Sequence, residues 1–529
     1  MSNLLDLASI VLTPTAYNNG EALCIKPDDA SGDFQFSRNS AATRVNAQGL
    51  VENVQILSSN LVTNGDFDTD SDWTKGTGWS ISDGKAVAVS GTSSKLTQSI
   101  SGLSGKKCSV TFTLSNYGGN GTIKLDFGSL VGQDRNANGT YTEVGTYDID
   151  RLEFFKNSSF SGSIDNVSVI EITTDTSLPR INYEGFSYDG SGNVVPDSGC
   201  GSWLFEPQST NLITQSELFS DATWTKVGGG AADDTIITSN YATSPDGTNN
   251  ASRAQFNAVG TANGDRANLY ANINVTSGQT FTMSFYGKSA TATNEEVVLR
   301  MGSVQQVSVT LTQEYQRFSH TYTVTSSGAK NFGIQIRGNS AVTSADIIIW
   351  GFQVEQQSYA TSYIPTSGST VTRNQDVCTN GGSLASINST EGVFYAEIAA
   401  LADDGTNKAI SINNGGLSDY LFFRYRSNNQ FQIIFRANNS NVVNEVHTLS
   451  NNLDFNKIAF SYKLNEFKLF INGLQIGSTI TSGAVFGTTI NSLDFDEFNG
   501  TNKFYGKTKA LAVWKEALSD SELQSLTTI

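Results

Sequence analysis

The chain predicts an all-β protein of tandem β-sandwiches, and three features of its 529 residues carry this prediction. The 30 Phe and 18 Tyr residues suit half-buried strands, whereas the 49 Gly residues suit the turns between strands. Short segments that alternate polar and apolar residues recur along most of the sequence, as they do in half-buried strands. A block of sequence also occurs twice, 151 residues apart, which indicates a duplicated module.

The two copies of this block align without a gap. The first is Asn60-Leu61-Val62-Thr63 followed by Trp73-Thr74-Lys75, and the second is Asn211-Leu212-Ile213-Thr214 followed by Trp224-Thr225-Lys226. We expect the recurring residues Trp73 and Trp224 to lie in the two cores, because burying an indole ring is a large hydrophobic gain. A long chain that repeats a β-rich module usually presents surface, so the duplication favours a binding or structural role.

The first copy opens a series of eight short, evenly spaced strands, which predicts a jelly-roll sandwich. The predicted strands are Trp79–Ser82, Ala86–Val89, Lys95–Ile100, Cys108–Ser115, Thr122–Phe127, Thr140–Tyr147, Arg151–Phe155 and Ser163–Ile170. Near the other end of the chain, Ser519 and Glu522 have the spacing of a capping box and predict the only helix that the sequence supports.

Turn-rich stretches divide the chain into six parts. The predicted boundaries are 1–55 for an N-terminal attachment segment, 56–175 for the first jelly-roll module, 176–210 for a linker, 211–360 for the second jelly-roll module, 361–390 for a second linker and 391–529 for a different β-sandwich.

Charge and composition exclude several classes of function. The net charge of −17 and the lack of basic runs exclude a nucleic-acid groove, which needs clustered Lys and Arg. The N-terminus lacks a basic region and is a poor secretory signal, and no apolar stretch predicts a membrane-spanning helix. The four Cys residues are widely spaced, so we expect free thiols and no structural zinc site.

Catalytic constellations are also missing from the sequence. The only histidines, His320 and His447, lie in alternating strand-like segments without a partner motif. Carboxylate pairs such as Asp403-Asp404 lie in turns, where solvated loop residues are the commonest outcome. We therefore expect no enzymatic activity, although a pair of glycosidase carboxylates is not excluded by sequence.

Two sets of residues resemble sugar-binding sandwiches. Asn64-Gly65-Asp66-Phe67-Asp68 and Ile164-Asp165-Asn166-Val167-Ser168-Val169 resemble the first and last strands of carbohydrate-binding jelly-roll modules of the galactose-binding-like group. Phe467-Lys-Leu-Phe-Ile-Asn-Gly-Leu-Gln-Ile-Gly and the 509–526 ending resemble a laminin-G or concanavalin A-like sandwich. The resemblances imply tandem jelly-roll β-sandwiches followed by a concanavalin A/laminin-G-like β-sandwich.

A third resemblance concerns the N-terminal segment. Leu7-Ala8-Ser9-Ile10-Val11-Leu12, Asp33-Phe34-Gln35-Phe36-Ser37-Arg38 and Gly49-Leu50-Val51-Glu52 resemble virion proteins of tailed bacteriophages, especially fibre and spike proteins, as does 359–373. This implies a head or tail fibre component without a signal peptide, assembled in the host cytoplasm into the virion. It further implies a homo-oligomer, often a trimer in such fibres, that contacts other virion proteins through the N-terminal segment.

The jelly-roll resemblance also implies a structural Ca²⁺ ion. In those modules an acidic residue after the Phe of the first strand and an Asp that opens the last strand share the ion, and Asp68 and Asp165 match these places. The alternative is that both residues cap strand ends without a metal. The second repeat has Phe219 where Asp68 would fall, so we expect no such site there.

Candidate glycan-binding residues are the aromatic side chains outside the repeated block, because sugar rings stack on aromatic faces. The candidates chosen from them are Trp79, Tyr117 and Tyr420, whereas core packing is expected for the repeated Trp73 and Trp224. The sequence thus predicts a non-enzymatic virion protein whose domains bind host surface glycans. A virion protein that binds no sugar, or the carbohydrate-binding region of a secreted polysaccharide-degrading system, are the alternatives.

Overall fold

A computed structural model of the chain describes residues 2–188, 194–196, 199–302 and 305–529. The chain forms two compact units: residues 55–175 with 238–253 make the smaller unit, and residues 1–54, 176–237 and 254–529 make the larger. The described structure is almost entirely β, which confirms the predicted fold class.

The elements follow in chain order. The first part of the chain contains α1 (Ser2–Leu7), β1 (Ile10–Leu12), β2 (Tyr17–Asn18), β3 (Glu21–Ala22), β4 (Phe34–Ser37), β5 (Thr43–Val45), β6 (Val51–Asn53), β7 (Ile56–Asn60), β8 (Thr74–Lys75), β9 (Trp79–Ser82), β10 (Lys85–Ala88), β11 (Ser94–Ser99), β12 (Lys107–Ser115), β13 (Ile123–Asp126), β14 (Gly139–Thr146), β15 (Arg151–Lys156) and β16 (Gly162–Thr174). The middle part contains β17 (Ile181–Asn182), β18 (Phe186–Tyr188), β19 (Val194–Pro196), β20 (Ser202–Phe205), β21 (Ser209–Asn211), β22 (Ile236–Ala242), β23 (Ala251–Asn257), β24 (Arg266–Val275), β25 (Thr280–Ser289), β26 (Glu295–Met301), β27 (Gln305–Leu311), β28 (Gln316–Thr323), β29 (Gly328–Arg337) and β30 (Ser344–Glu355). The last part contains β31 (Val371–Arg373), β32 (Val377–Thr379), β33 (Glu391–Ala400), β34 (Lys408–Asn413), β35 (Tyr420–Arg426), β36 (Gln430–Ala437), β37 (Ser440–Thr448), β38 (Asn456–Lys463), β39 (Glu466–Ile471), β40 (Leu474–Ile480), β41 (Ser492–Asp494), β42 (Gly506–Trp514) and α2 (Asp520–Thr527).

The first sandwich lies in the smaller unit. One sheet has the order β14-β12-β16-β10-β9, with β7 also paired to β16, and the other has the order β13-β15-β11-β8. Alternate residues of the long strand β12 are buried. The ring of Phe112 on β12 packs edge to face on the ring of Phe154 in the opposite sheet, with 5.1 Å between the ring centres. All eight predicted strands are present. Their ends lie within one residue of the predicted ends, except that the last strand, β16, continues to Thr174.

The second sandwich repeats this plan. One sheet has the order β24-β29-β26-β27, and the other contains β23-β30-β25-β28. Phe281 of one sheet and Phe332 of the other lie 5.8 Å apart, which places the core between the two layers.

The repeated block does the same structural work in both sandwiches. The side-chain oxygen of Asn60 accepts hydrogen bonds from the N–H groups of Val62 and Val169, at 3.1 and 3.0 Å. The equivalent Asn211 accepts from Ile213 and Val354, at 3.1 and 3.2 Å. Each Asn therefore fastens the first strand of its module to the last one.

The two repeated tryptophans are core residues, as predicted. Trp73 and Trp224 are buried, and each indole N–H donates to a main-chain carbonyl nine residues earlier, at 2.9 Å. Each ring also packs on a phenylalanine 5.0 Å away, Phe67 in the first module and Phe219 in the second. Burial of the rings stabilises both modules, and the recurrence of Trp in the sequence has a structural cause.

The last sandwich combines a long sheet with the order β17-β20-β42-β33-β38-β39-β40 and a second sheet with the order β37-β36-β35-β34-β41. Phe394 and Phe423 stack between these sheets at 4.5 Å. Helix α2 begins at the predicted capping box, where Ser519 and Glu522 exchange hydrogen bonds. The sequence prediction missed α1, because six residues are too few to show a helical period.

The N-terminal segment and both predicted linkers contribute strands to the larger unit. β1 pairs with residues 511–513 of β42, and β20 pairs with residues 506–508 of the same strand. β32, from the second predicted linker, pairs with β4. The strands β1 and β20 therefore extend a sheet of the last sandwich, and β4 and β32 belong to a separate four-stranded sheet with the order β2-β3-β4-β32. The predicted domain boundaries stay predictions, and the structure shows in addition how the connecting segments are used.

Three buried arginines join these segments. Arg38 comes from the N-terminal segment, Arg180 from the first linker and Arg373 from the second, and all three are nearly inaccessible to solvent. They surround the carboxylates of Asp376 and Glu206, which are buried as well. We call this set of five side chains the arginine cluster.

Each carboxylate of the arginine cluster serves two arginines. Asp376 accepts from Arg38 at 3.1 Å and from Arg180, and Glu206 accepts from Arg180 at 2.6 Å and from Arg373 at 2.5 Å. Burial alone would raise the pKa of Glu206, but the charges of Arg373 and Arg180 outweigh burial and lower it to about 2. Glu206 is therefore ionised at neutral pH.

Substitution of Arg180 by Ala should destabilise the larger unit strongly. The change leaves two buried carboxylates with fewer partners, and breaking a buried ion pair in this way costs about 3–5 kcal/mol. The measurement is the free energy of unfolding in urea, followed by tryptophan fluorescence. Arg44→Ala is the control, because Arg44 forms a partly exposed ion pair with Glu52 in the same unit, worth about 0–1 kcal/mol. Equal losses for the two variants would contradict the assigned role of the cluster.

Candidate functional site

An open crevice in the described part of the larger unit lies beside two loops of the last sandwich. One loop joins β33 to β34 and the other joins β41 to β42. The crevice has a volume of about 500 Å³ and is open to solvent. Its lining consists of Pro207, Gln357, Tyr359, Gln375, Asp404, Thr406, Asn407, Lys408, Gly500, Asn502, Lys503 and Tyr505.

Backbone pairing holds the two loops together. Ala409 and Lys503 form a parallel bridge, and the Ala409 N–H donates to the Asn502 carbonyl at 2.8 Å. Asn502 adopts a positive φ of 47°, which Asn tolerates better than most residues. The loop that carries Asn502 and Lys503 is therefore fixed against the start of β34.

Asp404 fastens one wall of the crevice. Its carboxylate accepts from Lys408 Nζ at 3.0 Å, from the Thr406 hydroxyl at 2.6 Å and from the Ser358 hydroxyl at 2.7 Å. Burial opposes ionisation here, but these hydrogen bonds and the charge of Lys408 lower the pKa of Asp404 to about 2. Asp404 is thus a fixed anion whose charge Lys408 compensates.

Two tyrosines supply the aromatic surface. The Tyr505 hydroxyl donates to Gln375 Oε1 at 2.8 Å, and both Tyr505 and Tyr359 are half-buried. Burial raises the pKa of Tyr505 to about 12, and it raises that of Tyr359 well above the usual value, so both phenols stay protonated. Each ring thus offers an apolar face together with a neutral hydroxyl.

The arginine cluster lies directly behind this surface. Arg373 donates to the Pro207 carbonyl at 2.6 Å, and Pro207 lines the crevice. Gln375 also lines the crevice and precedes Asp376 of the cluster in sequence. The ion pairs that join the connecting segments therefore also position the wall of the crevice.

Asp496 lies at the base of the loop that follows β41. Burial, and then the charge of neighbouring Asp494, raise the pKa of Asp496 to about 6, while Lys503 acts in the opposite direction. Its carboxylate accepts from the Gly500 N–H at 3.3 Å, which ties it to the loop that lines the crevice.

The predicted glycan-binding residues of the first sandwich lie elsewhere, in the smaller unit. Trp79 is only 7% exposed and belongs to the core, so its ring has little free face for a sugar. Tyr117 is half-buried, packs 6.0 Å from Phe160 and donates its hydroxyl to the Gly121 carbonyl at 2.9 Å. A glycan role for either residue stays a prediction.

Tyr420 stands at one end of β35 among aromatic neighbours. Its ring lies parallel to that of Phe498 at 4.4 Å and to that of Phe422 at 5.6 Å. Two neighbours therefore use much of its stacking surface, and Tyr420 is not part of the crevice. A glycan role for Tyr420 stays a prediction.

The predicted calcium residues lie at a place where the first and last strands of the first module meet. The Val167 N–H donates to the Gly65 carbonyl at 2.8 Å, so the segments that hold Asp68 and Asp165 are neighbours. Asp68 is exposed, and Asp165 accepts from the Asn166 N–H at 2.6 Å. Within the ranges that the structure describes, no three His, Cys, Asp or Glu side chains gather as a metal site. Calcium binding by this pair stays a prediction.

Neither histidine lines the crevice. Burial lowers the pKa of His320 on strand β28, and His447 on β37 lies 3.1 Å from Glu445. The four cysteines are free thiols, as expected. Across the described ranges, no helix has the length and apolar character that crossing a membrane requires.

Sequence reasoning missed the crevice almost completely. In the sequence, Tyr359 belongs to a segment that resembles virion proteins, and Asp404 belongs to a carboxylate pair in a turn. Neither pattern indicates a binding crevice. Gln375, Asn407 and Asn502 are ordinary loop residues in the sequence. No spacing rule joins them, because they come together only when distant loops meet.

Comparison with known proteins identifies the last sandwich. Residues 371–524 match the Laminin_G_3 family, which is described as the concanavalin A-like lectin/glucanases superfamily. The match begins 20 residues before the predicted start of this domain at residue 391. It includes β31, β32 and the two loops that line the crevice. No curated protein matches the chain.

Solved structures offer only distant likenesses. The carbohydrate-binding module CBM40 of the Ruminococcus gnavus IT-sialidase is 17% identical, with 28% of this chain and 93% of that chain covered and a TM-score of 0.25. The leech intramolecular trans-sialidase is 20% identical, with 28% and 26% covered and a TM-score of 0.24. A heptameric SAP-like pentraxin from Limulus polyphemus is 12% identical, with 28% and 74% covered and a TM-score of 0.23. At such scores these likenesses carry no argument about ligand or activity.

Stability should depend on pH through Asp496. Its pKa in the folded chain, about 6, lies above the ordinary value of 3.8. Its contribution to stability is therefore fully present below about pH 4 and is lost as the pH rises through about 6. Asp496→Asn should raise the free energy of unfolding at pH 7 by about 1–2 kcal/mol and should have little effect at pH 4.

Urea unfolding of both proteins at pH 4, 5, 6 and 7 measures this difference. Asp403→Asn is a suitable control, because Asp403 is an exposed carboxylate in the facing loop. An Asp496→Asn effect that is independent of pH would contradict the assigned ionisation.

Proposed function

We propose that the chain is a non-enzymatic, glycan-binding protein of a tailed-bacteriophage virion, and that the crevice of the last sandwich is its saccharide site. The observation that carries the proposal is the lining of the crevice. Two half-buried tyrosines and four amide side chains, those of Gln357, Gln375, Asn407 and Asn502, surround one open space. Nine of its twelve lining residues lie in the range that matches a lectin/glucanase superfamily, whereas Pro207, Gln357 and Tyr359 come from segments before that range.

Such a lining suits a sugar for a chemical reason. A pyranose ring presents an apolar face, which packs on an aromatic ring, and an edge of hydroxyl groups that both donate and accept. Amide side chains also donate and accept, and those of Asn407 and Asn502 have no hydrogen-bond partner within the described ranges. A volume of about 500 Å³ is within the usual range of ligand sites.

The same lining argues against hydrolysis of the bound sugar. Glycosidases use two carboxyl groups, one of which must be protonated near working pH. Asp404 is the one carboxylate among the lining residues described, and its pKa of about 2 prevents it from acting as an acid. The non-enzymatic reading rests on this chemistry, and release of reducing ends from host polysaccharide by the purified protein would overturn it.

The virion assignment rests on the sequence resemblance of the N-terminal segment. A wide, polar crevice binds one saccharide weakly, but a fibre that presents several copies gains avidity from linked sites. A fibre or spike component, assembled as a homo-oligomer, is therefore the setting in which such a site functions well. A virion protein that binds no sugar is the second candidate, and the binding experiment below distinguishes the two.

Substitution of Asn407 by Ala should weaken saccharide binding without unfolding the protein. Asn407 lines the crevice, and its side chain forms no hydrogen bond within the described residues. Loss of one hydrogen bond predicts about a 3- to 10-fold rise in Kd. The measurement is glycan-array binding of the full chain, followed by calorimetric titration of the saccharides that bind.

Asn491→Ala is the matched control, since Asn491 is exposed in the same domain and does not line the crevice. Saccharide binding that both variants leave unchanged would place the sugar site elsewhere. No binding to any host or bacterial polysaccharide would favour the purely structural virion protein.

A further inference from the structure

We infer that the crevice selects an anionic saccharide, one that bears carboxylate or sulfate groups, and that Lys503 is the residue that recognises the negative charge. This inference rests on the proposed saccharide site and goes one step further, because it names the class of ligand. It comes from the charges and hydrogen bonds of the lining residues.

Two of the charged lining residues neutralise each other. Three lining residues are charged: Asp404, Lys408 and Lys503. Asp404 and Lys408 neutralise each other at 3.0 Å, and Lys408 also donates to the carbonyl and the hydroxyl of Thr406, at 3.2 and 2.8 Å. All three N–H bonds of Lys408 therefore have partners, and this pair has no charge to offer a ligand.

Lys503 is the remaining cation of the lining. Lys503 Nζ donates to the Gly500 carbonyl at 2.6 Å, and within the described ranges it forms no ion pair. An ammonium group has three N–H bonds, so two of them are left for a ligand. The hydrogen bond to Gly500 and the backbone bridge to Ala409 fix Lys503 among the residues that line the crevice.

A neighbouring amide is oriented by a hydrogen bond. The carbonyl oxygen of the Gln375 side chain accepts from the Tyr505 hydroxyl at 2.8 Å. Its NH₂ group is the end that remains for the crevice. The Lys503 ammonium and the Gln375 NH₂ group are thus two donors of the lining, and such donors suit carboxylate and sulfate oxygens. Gln357 differs, because its NH₂ group donates to the Gln208 carbonyl at 2.8 Å and leaves its oxygen for the crevice.

One buried carboxyl reduces the effect of Lys503. Asp496 lies behind the loop and interacts electrostatically with Lys503, although no ion pair joins them. Removal of this negative charge should strengthen the attraction for an anionic ligand. The chain as a whole carries a net charge of −17, so a cation without an ion pair at a binding crevice departs from the general field.

The test uses pairs of oligosaccharides that differ only in charge. One pair is an oligogalacturonate and its methyl ester, and the other is a sulfated galactan oligosaccharide and its desulfated form. The full chain is titrated with each by calorimetry. At least one anionic member should bind 10-fold or more tightly than its neutral partner, and the difference should shrink between 50 and 300 mM salt because salt screens charge.

Variants then assign the preference to residues. Lys503→Gln should weaken binding of the anionic member about 5-fold or more and should affect binding of the neutral partner much less, whereas Lys503→Arg should retain the preference for the anionic member. Asp496→Asn should strengthen binding of the anionic member. Lys509→Gln is the matched control, because Lys509 lies in the same domain, 4.4 Å from the centre of the Phe455 ring, and does not line the crevice.

The possible results separate this inference from the proposed function. Equal binding of both members of each pair, with Asn407→Ala still harmful, would overturn the charge selection and leave the saccharide site in place. A charge preference that Lys503→Gln does not change would overturn the role of Lys503. If no saccharide of either kind binds, both the inference and the proposed function fail.

Discussion

The arginine cluster is the interaction on which the larger unit depends. Arg38, Arg180 and Arg373 come from three segments that are distant in sequence and have few regular elements of their own. The segments pack apolar side chains such as Phe34 and Trp203 into the core of the last sandwich, and the shared carboxylates fix the three arginines in one arrangement. A buried ion network is costly to assemble, because each charge loses its hydration, and it is therefore sensitive to the loss of any member. The cluster also positions one wall of the crevice, because Arg373 donates to the carbonyl of the lining residue Pro207.

The duplicated block has a structural purpose that differs from the function of the protein. Asn60 and Asn211 fasten the first strand of each module to the last, and Trp73 and Trp224 fill equivalent places in the cores. A sandwich must close in this way whether or not it binds anything, so the most visible pattern in the sequence reports on folding. The functional proposal rests instead on loops that show no pattern in the sequence.

The crevice also illustrates why aromatic residues alone are poor indicators of a sugar site. Trp79 contributes to a core, and Tyr420 lies parallel to the rings of Phe498 and Phe422, although the sequence favoured a stacking role for both Trp79 and Tyr420. Tyr359 and Tyr505 are more suitable, because both are half-buried and line one open crevice together with four amide side chains. What distinguishes a binding aromatic ring from a core ring is its neighbours, and these come from other parts of the chain.

The sequence by itself determined the fold class, the strands of the first module, the capped helix at Ser519 and the burial of the repeated tryptophans, because alternation, turn residues and capping are local properties of the chain. It did not reveal the short helix at Ser2, the use of the connecting segments as strands beside β42, or the arginine cluster. Only the tertiary structure decided these, and with them the crevice, because pairing between distant strands and between buried charges depends on contacts across hundreds of residues. Side chains such as Arg38 and Asp376, 338 positions apart, leave no local signal of their partnership.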